Sequence, residues 1–270
     1  MNATAQSRGH VAAVFDVDGT LLAPPSLERQ FLAALRYRQA IPARNYFLWL
    51  AWAVRMAPRG LARMRHANKM YLRGVSIHDF KENGQRPGQP PRQGSGQAEL
   101  AVPRFYRGAI DQIAWHALQG HAIVLVSGTL APLAVEVGLA LTMRLAVRGV
   151  AVTVEVCATR MEESDGRWTG RTVGEAMFGE AKGRAVRRLA RERGFSLERC
   201  YAYGDRLSDR WMLEAVGRAA VVNPSWRLER FARKKKWPVL TWAEGKNSRQ
   251  SSPRTQSTGS KAEEIWGKVG

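Results

Sequence analysis

The segment Val11-Ala12-Ala13-Val14-Phe15-Asp16-Val17-Asp18-Gly19-Thr20 has the clearest structural pattern in this chain. An apolar, β-branched run that ends at a glycine predicts a buried strand, and two carboxylates, Asp16 and Asp18, fall at its carboxyl end. Ligands bind at that edge of open parallel α/β sheets, where an unpaired charge is costly. The pair therefore indicates a cation site or phosphate chemistry; the alternative is a turn at Asp18-Gly19 with Asp16 as a helix cap.

Composition limits the class of protein. The 270 residues, 45% of them hydrophobic, suffice for one large α/β domain with an inserted subdomain. Lys and Arg number 42 against 23 Asp and Glu, and the net charge of +19 predicts attraction to phosphorylated metabolites, nucleic acid or an anionic membrane surface. Cys157 and Cys200 are too few for a disulfide framework, and residues 1–10 lack the apolar core of a signal peptide, so we expect a cytoplasmic protein.

An insertion follows the first strand. Helical spacing of apolar residues from Leu27 to Leu72 predicts helices, the second starting near Ala43. Its most apolar part, 46–54, is about half the length that spans a bilayer, so we expect a buried helix of a lid; a membrane-skimming face or an apolar substrate pocket is the alternative. Residues 81–97 and the polar tail 245–270 have compositions that predict disorder.

The rest of the chain alternates strands and helices. We predict strands over 122–126, 150–156, 199–205, 219–222 and 237–242, helices over 103–119 and 175–193 and from Leu130, and a hairpin with its turn at Asp165-Gly166.

Three further groups are candidates for the same site as Asp16. Ser127-Gly128-Thr129 joins a strand to a helix and can cradle a phosphate, although an N-cap is the commoner role. Lys182 can offset phosphate charge or be an ordinary solvated lysine. Asp205 and Asp209 can face a cation together, or Asp205 can cap a helix while Asp209 pairs with a neighbouring arginine.

The series formed by Asp16-Val17-Asp18-Gly19-Thr20, Ser127-Gly128-Thr129, Lys182, and Gly204-Asp205 with Asp209 resembles the four ordered motifs of the haloacid dehalogenase-like hydrolase superfamily. The inserted helices and the hairpin are similar to its phosphoserine-phosphatase-like branch. The resemblance implies an α/β fold with a Rossmann-like parallel sheet, in which residues 1–22 and 106–244 form the core and residues 23–105 an inserted helical cap.

The same resemblance implies a Mg²⁺-dependent phosphatase that acts through an aspartyl-phosphate. Asp16 would be the nucleophile, and Asp18 the general acid and base. Ser127, the Gly128 amide and Lys182 would hold the phosphate. Mg²⁺ would lie among Asp16, the Asp18 carbonyl and Asp205, with Asp209 binding the ion or one of its ligands.

The substrate is expected to be a small phosphorylated molecule. Pro25 stands where phosphoserine phosphatases have a glutamate that reads the amino group, and Ser208 stands where their last motif usually has asparagine, so the sequence leaves the substrate open. Two other functions stay open: a phosphotransferase on the same fold, and a catalytically idle basic module that binds nucleic acid or anionic lipid.

Overall fold

The computed structural model describes residues 10–56, 67–76 and 103–243. The predictions of disorder for 81–97 and 245–270 lie outside these residues. Strands within them are β1 (Ala12–Phe15), β2 (Ala122–Leu130), β3 (Val154–Thr159), β4 (Met161–Ser164), β5 (Arg167–Thr172), β6 (Tyr201–Gly204), β7 (Arg218–Val222) and β8 (Val239–Leu240). Helices are α1 (Leu27–Tyr37), α2 (Ala43–Met56), α3 (Arg107–Leu118), α4 (Ala131–Ala146), α5 (Glu180–Arg193), α6 (Arg210–Leu213) and α7 (Trp226–Lys235).

Six strands form one parallel sheet in the order β3-β2-β1-β6-β7-β8. Strand β1 lies inside the sheet, and its side chains alternate between two apolar layers. Ala13 and Phe15 face one layer and Ala12 and Val14 the other, which is why the strand is apolar throughout. The parallel sheet between two layers confirms the predicted α/β fold with a Rossmann-like core.

Several predicted boundaries are wrong: the helix predicted over 103–119 begins at Arg107, and the strand predicted over 237–242 covers only Val239–Leu240. Three others have a local reason. Strand β2 runs on to Leu130, because Leu130 still pairs with Thr159 across an irregularity after Ser127. Strand β3 starts at Val154 rather than Val150, because pairing with β2 begins only at Val154. Helix α5 starts at Glu180 rather than Glu175, after Gly179 with φ +60°, and this places Lys182 in its first turn.

Helices α1 and α2 follow β1 as predicted, but the prediction that 46–54 is buried is wrong. Phe47 is 75% exposed and Val54 69% exposed, and Tyr46 and Leu50 are exposed as well. Periodicity predicted the helix, but it cannot tell which apolar side chains will find a covering element. None of the described helices is long and apolar enough to cross a membrane.

The hairpin of β4 and β5 joins the core to the inserted segment. Its turn has Asp165 and Gly166 at positive φ, as the sequence predicted. The Trp168 amide donates to the Val75 carbonyl (3.1 Å), and the Gly74 amide donates to the Trp168 carbonyl (2.7 Å). The Trp168 ring is buried and meets Phe31 of α1 edge to face, with ring centroids 6.0 Å apart.

We expect Trp168→Ala to lower the free energy of unfolding by about 3–5 kcal/mol, because a fully buried indole is removed where hairpin and insertion meet. Val173→Ala, at a half-exposed position just after β5, is the control and should change it by less than about 0.5 kcal/mol. Urea unfolding measures both. Equal effects of the two variants would show that Trp168 does not stabilise the packing of the hairpin against the inserted segment.

Candidate active site

The predicted site residues follow neighbouring strands at one edge of the sheet. Asp16 comes directly after β1, and its amide donates to the Tyr203 carbonyl of β6 (3.0 Å). Asp205 comes directly after β6, and Ser127 lies in β2, on the other side of β1. Because these strands are parallel, their carboxyl ends meet at the same edge.

A buried lysine connects two of the aspartates. The Lys182 ammonium donates to Asp16 Oδ1 at 2.5 Å and to Asp209 Oδ1 at 2.7 Å, and all three side chains are buried. The second oxygen of Asp209 accepts the Arg206 amide at 2.9 Å. Asp209 therefore pairs with Lys182 through its side chain and with Arg206 through the backbone, not with an arginine side chain.

Asp205 completes the cluster. Carboxylate oxygens of Asp16, Asp205 and Asp209 all lie within 4.8 Å of one another. Asp205 Oδ1 is buried and makes no hydrogen bond within the part of the chain that the structure describes; Oδ2 lies 3.4 Å from the exposed Arg206 guanidinium. Three buried carboxylates thus face one buried ammonium.

Two glycines allow this close approach. A Cβ on Gly19 would lie 2.2 Å from Asp205 Oδ2, and the φ of +93° at Gly19 also favours glycine. A Cβ on Gly204 would lie 2.8 Å from the Cβ of Asp209. Any side chain at Gly19 would displace the Asp205 carboxylate.

The excess of negative charge and the burial of the cluster shift the pKa values of its members. Burial, with the Asp209 and Asp16 carboxylates nearby, raises the pKa of Asp205 to about 9. Burial also raises the pKa of Asp16, against the opposing effect of Lys182. The two carboxylates raise the pKa of Lys182 despite its burial, so the lysine stays charged.

The Asp18 carboxylate lies outside this cluster. Its Oδ1 accepts the Leu27 amide at 2.7 Å, and Leu27 is the first residue of α1. Burial raises the pKa of Asp18, and the Leu27 hydrogen bond opposes the rise. The start of the inserted helix therefore fixes one oxygen of this carboxylate.

Ser127, Gly128 and Thr129 stay within β2 instead of opening the next helix. The Ser127 hydroxyl accepts the Thr129 amide at 3.1 Å, and the Thr159 hydroxyl donates to the Gly128 carbonyl at 2.9 Å. Within the described residues, no hydrogen bond connects the three to the aspartates. Their position on the neighbouring strand places them at the same edge of the sheet.

Two contributing groups were missed by the sequence analysis. The Thr20 hydroxyl lies 3.4 Å from Asp16 Oδ2, and Thr129 Oγ1 is buried without a partner among the described residues. Both threonines belong to the quoted motifs, so their position was a signal that could have identified them. The Leu27 amide carried no signal, because a backbone donor depends only on where a helix begins.

The cluster has the properties of a site for a hard divalent cation. Its free donors are carboxylate oxygens, which Mg²⁺ and Ca²⁺ prefer, and the buried Asp205 Oδ1 still needs a partner. A divalent cation would balance the two negative charges that Lys182 leaves uncompensated. Asp16 and Asp205 fit such an ion best. Asp205 Oδ1 has no partner among the described residues, and Asp16 Oδ2 has only the 3.4 Å contact with the Thr20 hydroxyl. Both oxygens of Asp209, by contrast, accept hydrogen bonds of 2.7 and 2.9 Å.

A parallel α/β sheet with a buried, lysine-bridged carboxylate cluster at its carboxyl edge belongs to the class of α/β proteins that bind their ligands at that edge. Residues 13–214 match the model of a specific family, described as haloacid dehalogenase-like hydrolase. The chain belongs to this family, and the prediction that it is a hydrolase is confirmed.

Relatives and a solved structure agree with this assignment. The chain is 31% identical over 254 residues to a probable phosphatase of Mycobacterium tuberculosis, covering 91% of this chain and 80% of that protein. It is 29% identical over 240 residues to a phosphoserine phosphatase of the same organism, covering 84% and 70%. A crystal structure of an apo phosphoserine phosphatase has a TM-score of 0.51 at 18% identity, over 86% and 93% of the chains, and shows the same fold.

We expect Asp205→Asn to stabilise the metal-free protein at pH 8. A carboxyl whose pKa is raised on folding favours the folded state fully below its unfolded pKa of 3.8 and loses that contribution as pH rises toward the folded pKa of about 9. The variant should match the wild type near pH 4 and exceed it at pH 8 by on the order of 2–3 kcal/mol. Urea unfolding in EDTA measures this. Asp165→Asn, in the exposed hairpin turn, is the control, and a pH-independent gain for Asp205→Asn would contradict the explanation.

Proposed function

We propose that this protein is a Mg²⁺-dependent phosphatase that hydrolyses a phosphomonoester through an aspartyl-phosphate on Asp16. The observation that carries the proposal is the bridge from the Lys182 ammonium to Asp16 and Asp209, with the unpartnered Asp205 beside it. A site that only bound anions would not need three buried carboxylates. The relatives, a probable phosphatase and a phosphoserine phosphatase, support the same reaction class.

Asp16 and Asp18 divide the first step. An Asp16 oxygen forms a bond to phosphorus while the bond to the leaving oxygen breaks, and Asp18 gives its proton to that oxygen. Lys182 holds the Asp16 carboxylate in one orientation and offsets charge on the phosphoryl oxygens. The Leu27 amide holds Asp18 Oδ1, which leaves Oδ2 for the proton.

The second step reverses the role of Asp18. The deprotonated carboxylate takes a proton from water, the water oxygen bonds to phosphorus, and the bond to Asp16 breaks to release inorganic phosphate. Ser127, the Gly128 amide and the buried Thr129 hydroxyl would donate to the phosphoryl oxygens. Asp16, the Asp18 carbonyl and Asp205 would hold Mg²⁺, which when bound supplies positive charge against the phosphoryl group.

The acid nearest to Pro25 along the sequence is already engaged. Glu28, next to Leu27, accepts hydrogen bonds from the buried Lys69 ammonium and from the Tyr71 hydroxyl. Pro25 is exposed and offers no carboxylate. A substrate ammonium would therefore meet a carboxylate that is already paired, which favours a small phosphomonoester other than phosphoserine.

Asp16→Asn should abolish hydrolysis, lowering kcat for an aryl phosphate by about 10³-fold or more, because the amide cannot form the acyl phosphate. The rate of phosphate release with and without Mg²⁺ measures the hydrolysis. EDTA should abolish hydrolysis by the wild type until Mg²⁺ is restored. Asp111→Asn, which weakens surface pairings with Arg148 and Arg107, is the control. Undiminished turnover in Asp16→Asn would exclude Asp16 as nucleophile, and transfer of phosphate to an added alcohol in preference to water would indicate a phosphotransferase.

Leu27→Pro tests how Asp18 is positioned. Proline is tolerated at the first helical position but lacks the amide hydrogen. Leu27→Ala also removes the buried leucine side chain but keeps the amide hydrogen. We expect Leu27→Pro to lower kcat about 10–100-fold more for an alkyl phosphate than for a nitrophenyl phosphate, because only the alkoxide needs a proton from Asp18. Leu27→Ala should affect both substrates equally. If the two variants gave the same ratio, the amide would have no part in positioning the acid.

A further inference from the structure

Helix α2 has an inner and an outer face. On the inner face the Asn45 amide donates to the carbonyls of Tyr71 (3.1 Å) and Arg73 (2.6 Å), and the Asn68 amide donates to the Trp49 carbonyl (2.8 Å). These bonds fix the helix on residues 68–73. They also fix which side of α2 faces away from the protein.

The outer face is apolar. At 100° per residue, four side chains cluster on the side opposite Asn45, and all four are exposed. They form what we call the apolar stripe: Phe47, Leu50, Ala51 and Val54. Contiguous exposed apolar residues of this kind mark an interaction surface rather than scattered surface residues.

The charges around the apolar stripe are positive. Arg44 and Arg55 are exposed, and because they are about three helical turns apart they lie along the same border of the stripe. The sequence of α2 contains no Asp or Glu, and the whole chain carries +19. An apolar stripe bordered by arginines is complementary to a surface with acyl chains beneath anionic headgroups.

We propose that the apolar stripe of α2 docks this protein onto anionic membrane surfaces. The helix would lie in the plane of the interface, with Phe47, Leu50 and Val54 below the headgroups and Arg44 and Arg55 among them. At fourteen residues it lies on the bilayer without crossing it, in keeping with the length that a spanning helix needs, about 20 residues. Docking at the interface gives the hydrolase access to phosphorylated groups held there.

Vesicle co-sedimentation of the full chain tests the proposal, and since it measures no hydrolysis, its outcome is independent of the proposed function. We expect binding to phosphatidylcholine vesicles containing phosphatidylglycerol, and binding about 10-fold weaker to pure phosphatidylcholine. Phe47→Ser should weaken binding about 10-fold by removing the largest apolar anchor. Arg44→Gln with Arg55→Gln should remove most of the preference for anionic lipid.

Leu118→Ser is the matched control, since Leu118 is about as exposed as Phe47 but lies at the end of α3, and it should bind like the wild type. Absence of wild-type binding would overturn the proposal, as would binding that Phe47→Ser leaves unchanged. A wild-type dimer that Phe47→Ser converts to a monomer, without vesicle binding, would show that the stripe contacts a second copy instead. Thermal unfolding of each variant checks that the fold is retained.

Discussion

The contact of the Lys182 ammonium with Asp16 and Asp209 is the interaction on which the rest of the site depends. It joins the end of β1, the first turn of α5 and the segment after β6, which are separated by 166 and 27 residues along the chain. Burying an ammonium or a carboxylate alone in this interior would cost several kcal/mol, so these groups are stable there only when they are paired. The fold brings them together, and the need to pair Lys182 in turn restricts how α5 can pack against the sheet.

That contact does not balance the charge of the pocket, and the imbalance costs the metal-free protein stability. Asp205 approaches the cluster only because Gly19 has no Cβ, and one of its oxygens finds no partner among the described residues. A structural ion pair would be more stable without Asp205. The arrangement is understandable as a site prepared for a cation and a phosphate, since preorganised charge that waits for its ligand is what phosphoryl transfer requires.

The sequence predicted those parts of the site that a strand end determines. Asp16 and Asp205 follow apolar strands, and parallel strands end at one edge, so their meeting was foreseeable. The length of β2 was not, because Leu130 is in the strand only through its pairing with Thr159, a partner on another strand. The Leu27 amide that binds Asp18 could not be predicted either, because almost any residue can supply a backbone amide. Lys182 and the aspartates act through their side chains, so their residue types identified them in the sequence.

The exposure of α2 is a second feature that the sequence pattern does not determine. The pattern of Phe47, Leu50 and Val54 is that of a helix with an apolar face, and this pattern is the same whether the face meets the core or the outside. What decides is Asn45, a polar residue that is buried because two backbone carbonyls need its amide. Those carbonyls belong to Tyr71 and Arg73, and the Tyr71 hydroxyl reaches Glu28 beside Leu27. Hydrogen bonds thus connect α2 to the start of α1, where the Leu27 amide holds Asp18. A partner that binds the apolar stripe therefore binds the same part of the protein that positions the proposed acid.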